Sequence, residues 1–103
     1  MERRVVRVWI EGKHRPAVIL EVEPDLVRIA YGTSEPRDWR AVIVHTDTRQ
    51  GRLLDLKETT YFYGANVSWE SLAALEHGDA TCSWELFFAI RKLVEEYDAL
   101  LQD

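Results

Sequence analysis

The stretch that decides the fold is KHRPAVIL at residues 13–20, which is followed by YGTS at residues 31–34. The first stretch is a basic turn that enters a near-continuous apolar run, and such a run is typical of a strand buried on both faces. The turn signal Pro24-Asp25 lies between the two stretches. Together they predict a hairpin of two antiparallel strands.

The same two stretches carry a candidate site. Arg15 lies in the basic turn, and the second apolar run ends in the hydroxyl residues Thr33 and Ser34. A planar, permanently charged guanidinium beside a hydroxyl is well suited to binding a phosphate. If both turns lie at the same end of a small barrel, Arg15 and Thr33 are neighbours. This arrangement points to phosphodiester chemistry or nucleic-acid binding rather than to metal or cofactor chemistry.

Further short apolar segments predict a mainly β fold. Val6, Val8 and Ile10 alternate with other residues, which is the period of a half-buried strand. Strands are also predicted at residues 41–45 and 61–63, and residues 47–51 are interpreted as a hairpin turn.

Residues 66–76 fit two interpretations. In the first, Ser68 caps a short helix that runs through Leu75, with Gly78 as its stop signal. In the second, a strand passes through Val67 and Trp69. The sequence leaves this choice open.

The C-terminal segment predicts an amphipathic helix. Ser83 is its predicted N-cap, and Glu85 suits the first turn. One apolar stripe follows at helical spacing, made of Leu86, Phe87, Ile90, Leu93, Val94, Tyr97 and Leu101. We therefore predict an α+β, mainly β fold: a small SH3-like β-barrel of five to six strands with a C-terminal amphipathic helix, in a single domain spanning residues 1–103.

Composition supports one cytoplasmic domain. The chain has 103 residues, of which 47% are apolar, as in globular proteins. Cys82 is the only cysteine, which excludes an intrachain disulfide and a cysteine-rich metal cage. His45 and His77 have no partners at metal-ligand spacing, so we expect no metal site and no cofactor. We also expect no signal peptide and no membrane span.

Charge is distributed unevenly along the chain. The net charge of −5 argues against strong, non-specific nucleic-acid binding. However, residues 1–52 carry 10 Lys/Arg and 8 Asp/Glu, whereas residues 53–103 carry 3 and 10. The half that contains Arg15 and Thr33 is therefore mildly basic.

Residues 13–20 resemble the PemK/MazF family of toxin ribonucleases, in which a Gly-His-Arg-Pro-like turn leads into a strand of the type Ala-Val-Ile-Leu. A Thr, often followed by Ser or Thr, closes the family's third strand, and Thr33-Ser34 holds that place here. The resemblance continues more loosely along most of the chain. It departs at the first strand, where Arg3-Arg4 stands in place of the usual Gly-Asp, and at the first turn, which is short.

The resemblance implies a metal-independent endoribonuclease that cleaves single-stranded RNA through the ribose 2′-hydroxyl, as the toxin of a toxin–antitoxin pair. Arg15 and Thr33 correspond to the family's catalytic pair. His14 is the nearby group that titrates around neutrality, and it is either an acid/base or a residue that stabilises the turn. The remaining RNA-binding candidates are Lys13, Ser34 and Trp39.

Each of these candidate residues also fits a purely structural role. Arg15 also fits a surface arginine paired with an acidic neighbour such as Glu11, and Thr33 an ordinary turn residue. Trp39 also fits an aromatic residue at the start of a strand. The short loops favour a second class of function, a non-catalytic SH3-like barrel that binds RNA or a protein partner.

The last helix carries a candidate partner surface. At about 100° per residue, Phe88 falls nearly opposite Ile90, and Trp84 lies one turn earlier. Two adjacent large aromatics away from the core suggest a homodimer interface or a surface for the antitoxin protein. The alternative is that Trp84 packs against residues 78–82 and leaves Phe88 alone exposed.

Overall fold

The computed structural model of the chain describes residues 1–102, and within them it contains six β-strands, two α-helices and one 3₁₀ turn. The elements follow in the order β1 (Arg4–Ile10), β2 (Lys13–Val22), β3 (Val27–Thr33), β4 (Ala41–Val44), α1 (Arg49–Leu53), β5 (Thr60–Glu70), the 3₁₀ turn (Leu72–Ala74), β6 (Glu76–Thr81) and α2 (Trp84–Leu101). The predicted α+β, mainly β fold with a C-terminal helix is confirmed.

The strands form one open antiparallel sheet in the order β4-β5-β3-β2-β1-β6. The sheet does not close, so the predicted SH3-like β-barrel is wrong. The two edge strands explain this. β4 has only four residues, and all six residues of β6 are exposed and mostly polar. Short, polar edges of this kind disfavour further strand pairing.

Strand β2 is buried on both faces, as its apolar run predicts. Val18 and Leu20 belong to a cluster that includes the buried residues of α2. Ala17 and Ile19 belong to a second cluster on the opposite face, which Leu75 helps to cover. Burial on both faces fixes the register of β2 and therefore the position of the residues that precede it.

The turn between β1 and β2 consists of only two residues. Glu11 and Gly12 both have positive φ, at 53° and 75°, which is the backbone of a tight hairpin turn. Because the turn is this short, β2 begins at Lys13, four residues earlier than its apolar run indicates. The predicted Pro24-Asp25 turn is confirmed, closed by a 2.8 Å hydrogen bond from the Glu23 amide to the Leu26 carbonyl.

The predicted hairpin turn at residues 47–51 is wrong, because this segment leads into the short helix α1. Thr48 caps the helix by accepting a hydrogen bond from the Gly51 amide at 3.0 Å. Gly51 also packs against the preceding chain, since a Cβ there would lie 2.0 Å from the carbonyl oxygen of His45. The contact is tertiary, so the local sequence does not reveal it.

In the segment of residues 66–76, the strand predicted through Val67 and Trp69 is the structure that forms. β5 continues to Glu70 because it pairs with β3, where Val67 faces Ala30 and Trp69 faces Arg28. The alternative helix from Ser68 is therefore wrong, and only the single 3₁₀ turn at Leu72–Ala74 follows.

Helix α2 has the predicted start. The Ser83 hydroxyl accepts a hydrogen bond from the Leu86 amide at 3.1 Å. The apolar stripe is buried at Leu86, Phe87, Ile90 and Val94. It ends before Leu101, which is largely exposed. Neither helix in the described part of the chain is long and apolar enough to cross a membrane.

Candidate functional site

The β2–β3 register brings Arg15 and Thr33 together. Ala17 pairs with Tyr31 at the last paired position of the two strands, and Arg15 and Thr33 each lie two residues beyond it and line the same cavity. Side chains two apart on a strand share a face, so Arg15 and Thr33 lie on the face that carries Ala17 and Tyr31. The juxtaposition expected from the sequence therefore follows from the strand pairing of an open sheet and does not require a barrel.

A cavity of about 340 Å³ lies at this end of the sheet. Five of the predicted site residues line it: Lys13, His14, Arg15, Thr33 and Ser34. The other lining residues come from β1, β2 and β3, from the segment between α1 and β5, and from the start of β5, and they are Arg7, Pro16, Gly32, Leu56, Lys57, Glu58 and Thr60. The structure thus gathers most of the predicted RNA-contacting residues at one place.

Trp39 lies elsewhere. It lines a separate cavity of about 320 Å³ beside α2, and its ring meets that of Tyr63 edge-on at 5.4 Å. The guanidinium of Arg37 lies 5.2 Å from the centre of the Trp39 ring. The structure therefore does not bring Trp39 to the Arg15 cavity.

The Arg15 guanidinium is held in place by the preceding turn. Its side chain is only 13% exposed, and Nε donates a hydrogen bond to the Ile10 carbonyl oxygen at 3.3 Å. Nη2 lies 3.9 Å from Oε2 of Glu11, which is a loose ion pair. The pairing with Glu11 is the structural alternative anticipated from the sequence. It fixes the orientation of the guanidinium while leaving further N–H donors for a ligand.

Thr33 is buried, and its side chain is oriented by the loop that follows β3. Its Oγ1 accepts a hydrogen bond from the Glu35 amide at 3.2 Å. Because the hydroxyl acts as acceptor in that bond, its own proton is not used there. Thr33 can therefore donate a hydrogen bond to an oxygen bound in the cavity.

His14 projects from the opposite face of β2, because it alternates with Arg15. Its Nε2 lies 2.8 Å from Oε2 of Glu76 on β6. Its ring stacks on Trp9, with centres 5.0 Å apart. A carboxylate at hydrogen-bond distance from an imidazole orients the ring. His14 is thus equipped either to accept a proton or to hold the hairpin.

Tyr31 is a residue close to Arg15 that the sequence analysis did not single out, and it does not line the cavity. Burial raises the pKa of its hydroxyl, the Glu11 carboxylate raises it further, and the positive charges of Arg15 and Arg37 oppose both effects. These influences locate the phenol among the same charged groups as Arg15. Its position two residues before Thr33 on one strand is the signal that identifies it, since period-two spacing puts both on one face.

The cavity is basic although the chain is acidic. Four basic side chains line it, against the single carboxylate of Glu58, whereas the whole chain has a net charge of −5. Arg7 spans the cavity wall, and its Nη2 donates to the carbonyl oxygens of Leu54 and Asp55, both at 2.8 Å. Lys57 lies 3.6 Å from the Asp55 carboxylate. A concave basic site of this kind attracts anions.

The predicted aromatic surface is present on α2. Trp84 is 55% exposed and Phe88 is 52% exposed, and their rings stack with centres 5.5 Å apart. The Arg3 guanidinium lies 4.0 Å from the centre of the Trp84 ring. The alternative that only Phe88 is exposed is therefore wrong.

Within residues 1–102, His, Cys, Asp and Glu side chains do not form a group of three that could hold a metal ion. His45 has its Nδ1 3.4 Å from Oγ1 of Thr59. Cys82 is buried beneath α2, and burial raises the pKa of its thiol to about 11. A thiol with so high a pKa is a packing group rather than a nucleophile.

Searches against protein-family models and against curated proteins found no match to this chain.

Proposed function

We propose that the chain is a toxin-like endoribonuclease that cleaves single-stranded RNA without a metal ion, as part of a toxin–antitoxin pair. The observation that carries the proposal is that Arg15 and Thr33, each two residues beyond the Ala17–Tyr31 pair, line the same basic cavity. The resemblance of residues 13–20 and of Thr33-Ser34 to the PemK/MazF family supports the same assignment.

In this reaction the ribose 2′-oxygen attacks the adjacent phosphorus while the bond from phosphorus to the 5′-oxygen breaks. Negative charge builds on the non-bridging oxygens, where the Arg15 guanidinium and the Thr33 hydroxyl supply hydrogen bonds. Such donors are most effective when they are already oriented, and both side chains are fixed by backbone contacts to Ile10 and Glu35. The products are a 2′,3′-cyclic phosphate and a free 5′-hydroxyl.

Proton transfer is assigned to His14, which lines the same cavity although its side chain leaves β2 on the face opposite to Arg15. The imidazole takes the proton of the 2′-hydroxyl, and the Glu76 carboxylate holds the ring in place. The departing 5′-oxygen takes a proton from water, and the resulting hydroxide recovers the proton from His14. The imidazole is neutral again at the end, so the step consumes no proton overall.

A second candidate is RNA binding without cleavage. The two-residue turn at Glu11-Gly12 favours it, because so short a turn leaves the substrate groove without a covering loop. The contact of His14 with Glu76 favours it too, because it occupies Nε2 of the imidazole and is consistent with a role of His14 in stabilising the hairpin.

Incubation of the pure protein with a mixed-sequence single-stranded RNA in EDTA tests the proposal. We expect cleavage to fragments that end in 2′,3′-cyclic phosphate. The matched control is the same sequence with 2′-O-methyl groups, which lacks the nucleophile and must remain intact. Binding of the RNA without cleavage would support the second candidate, and strict dependence on magnesium would overturn the mechanism.

The proposal extends to partners and compartment. Trp84 and Phe88 are assigned to a homodimer interface or to the binding of an antitoxin, because two stacked and half-exposed aromatic rings form an unusually apolar patch. The cytoplasm is the proposed compartment, where the free thiol of Cys82 stays reduced.

A further inference from the structure

The β1–β2 hairpin carries an exposed aromatic platform beside the basic cavity. Trp9 is 65% exposed, the most exposed tryptophan of the chain. It is the cross-strand partner of His14, and the two rings are stacked at 5.0 Å with an angle of 25° between their planes. A large apolar ring on a polar hairpin is not needed for the core, because Trp9 belongs to neither buried cluster.

The platform adjoins the cavity directly. His14 belongs both to the stack and to the cavity wall. Arg7 and Pro16, which also line the cavity, are a cross-strand pair two residues along each strand from Trp9 and His14. Residues two apart share a face, so these four side chains lie together on one face of the hairpin. The flat Trp9 ring thus lies on the same face of the hairpin as the Arg7 guanidinium and the His14 imidazole.

We propose that Trp9 stacks on a nucleobase of single-stranded RNA whose phosphate lies in the basic cavity. Successive phosphates and bases of a single strand require alternating cationic and aromatic contacts, and aromatic stacking accepts any base because every base has a flat π-face. The inference rests on the proposed RNA function and adds a residue that holds a base beside the part of the cavity wall formed by Arg7, His14 and Pro16. His14 orients the Trp9 ring, and Glu76 in turn orients His14.

The test measures the affinity of the intact chain for two fluorescein-labelled probes by anisotropy. One probe is a short 2′-O-methyl RNA of mixed sequence, which binds but cannot be cleaved, and the other has the same backbone with abasic positions. Trp9→Ala should weaken binding of the base-bearing probe about tenfold and change binding of the abasic probe little. Trp9→Phe should retain most of the affinity, since it keeps an aromatic face.

Trp69→Ala is the matched control, because Trp69 is an exposed tryptophan on β5 that does not line the cavity. It should bind both probes as the wild type does, and thermal melting of each variant checks folding. Equal affinity of Trp9→Ala and wild type for the base-bearing probe overturns the stacking inference alone. An equal loss of affinity for both probes also overturns it, because Trp9 would then contact the RNA backbone or support the protein fold. Failure of the wild type to bind the base-bearing probe overturns the RNA function together with this inference.

Discussion

Arg28 on β3 and Asp98 on α2 form a two-pronged ion pair, in which Nη1 and Nη2 donate hydrogen bonds of 2.9 and 3.0 Å to the two carboxylate oxygens. The pair lies 70 residues apart in sequence and joins the helix to the sheet. The hydrogen bonds from Arg28 hold the pKa of the Asp98 carboxyl below its ordinary value, and those to Asp98 raise the pKa of Arg28.

We predict that Asp98→Asn lowers the free energy of unfolding by about 1 kcal/mol at neutral pH. A carboxyl with a lowered pKa in the folded state stabilises the protein above its unfolded pKa of about 3.9 and loses that contribution as pH falls through the folded pKa. The difference between wild type and variant should therefore shrink in acid. Urea unfolding at neutral pH and at acid pH measures it.

Asp55→Asn is the control for this prediction, since Asp55 lies 3.6 Å from Lys57 in an almost fully exposed pair. Exposed pairs contribute little, so the control should unfold as the wild type does. Asn also tolerates the positive φ of 52° at this position. A difference between wild type and Asp98→Asn that is the same at both pH values would contradict the assigned role of the pair.

Gly64 sets the approach of α2 to the sheet. A Cβ at this position would lie 2.7 Å from the Leu93 carbonyl oxygen and 2.8 Å from Cβ of Tyr97. We predict that Gly64→Ala lowers the free energy of unfolding by about 1–3 kcal/mol, since the helix must shift away from β5. Gly78→Ala is the control, because a Cβ there would meet nothing within 4 Å. Chemical unfolding that ranks the two glycine variants equally would contradict this account.

The sequence predicts the centre of the sheet well because local pattern and tertiary environment agree there. The apolar run of β2 is buried on both faces as expected, and the Ser83 cap begins α2 where predicted. The error at α1 has a different origin. Residues 47–51 have turn-like composition, but Gly51 is required by a close contact with the His45 carbonyl, which no local pattern encodes.

The candidate site also contains some residues that the sequence could place and others that it could not. Arg15 and Thr33 could be associated from sequence because two strands joined by a short turn have few possible registers. The path of the loop after Thr33 could not, and it carries Trp39 to another cavity. Tyr31 was read as an apolar strand residue, although the phenol of a half-buried tyrosine adds chemistry to the face it occupies. Strand alternation was the signal that would have identified it.

Removal of the proposed phosphate-binding groups should abolish the proposed RNA cleavage without unfolding the chain. We predict loss of activity in Arg15→Ala and in Thr33→Ala, since both withdraw hydrogen bonds from the charged transition state, each worth about 10²–10³ in rate. Arg15→Lys should also be inactive, because an ammonium group cannot make two parallel contacts. Cleavage of labelled RNA in EDTA is the measurement, and relief of growth arrest in expressing cells accompanies it.

Arg49→Ala provides the matched control for the Arg15 variants, since Arg49 is an exposed arginine on α1 outside the cavity. It should cleave at the wild-type rate. Full activity of Arg15→Ala would remove the proposed catalytic assignment, whatever the outcome for Thr33.

His14 is expected to impose a pH dependence on cleavage. If the neutral imidazole accepts the 2′-hydroxyl proton, the rate falls in acid as the imidazole becomes charged, and His14→Gln should remove this fall together with most of the activity. Glu76→Gln should reduce the rate less, because Glu76 acts only through His14. His77→Gln is the control, because His77 lies next to Glu76 on β6 and does not line the cavity. An unchanged rate and pH profile in His14→Gln would limit His14 to stabilising the hairpin.

The aromatic pair on α2 gives the last prediction, which concerns assembly. Trp84 and Phe88 are each about half exposed and stack on one another, while Phe87 beside them is fully buried. Burial of such a pair against a partner removes large apolar area from water, which is typical of the residues that dominate binding energy. Wild-type protein should therefore have the mass of two 12.0 kDa chains by light scattering, and Trp84→Ala/Phe88→Ser the mass of one.

The single variant Phe88→Ser is the first control. It keeps the contact between Arg3 and Trp84, so a loss of the dimer in this variant cannot be due to the loss of that contact. Trp69→Ala should leave the mass unchanged. A double variant that keeps both the wild-type mass and the wild-type affinity for a co-expressed antitoxin would exclude this surface.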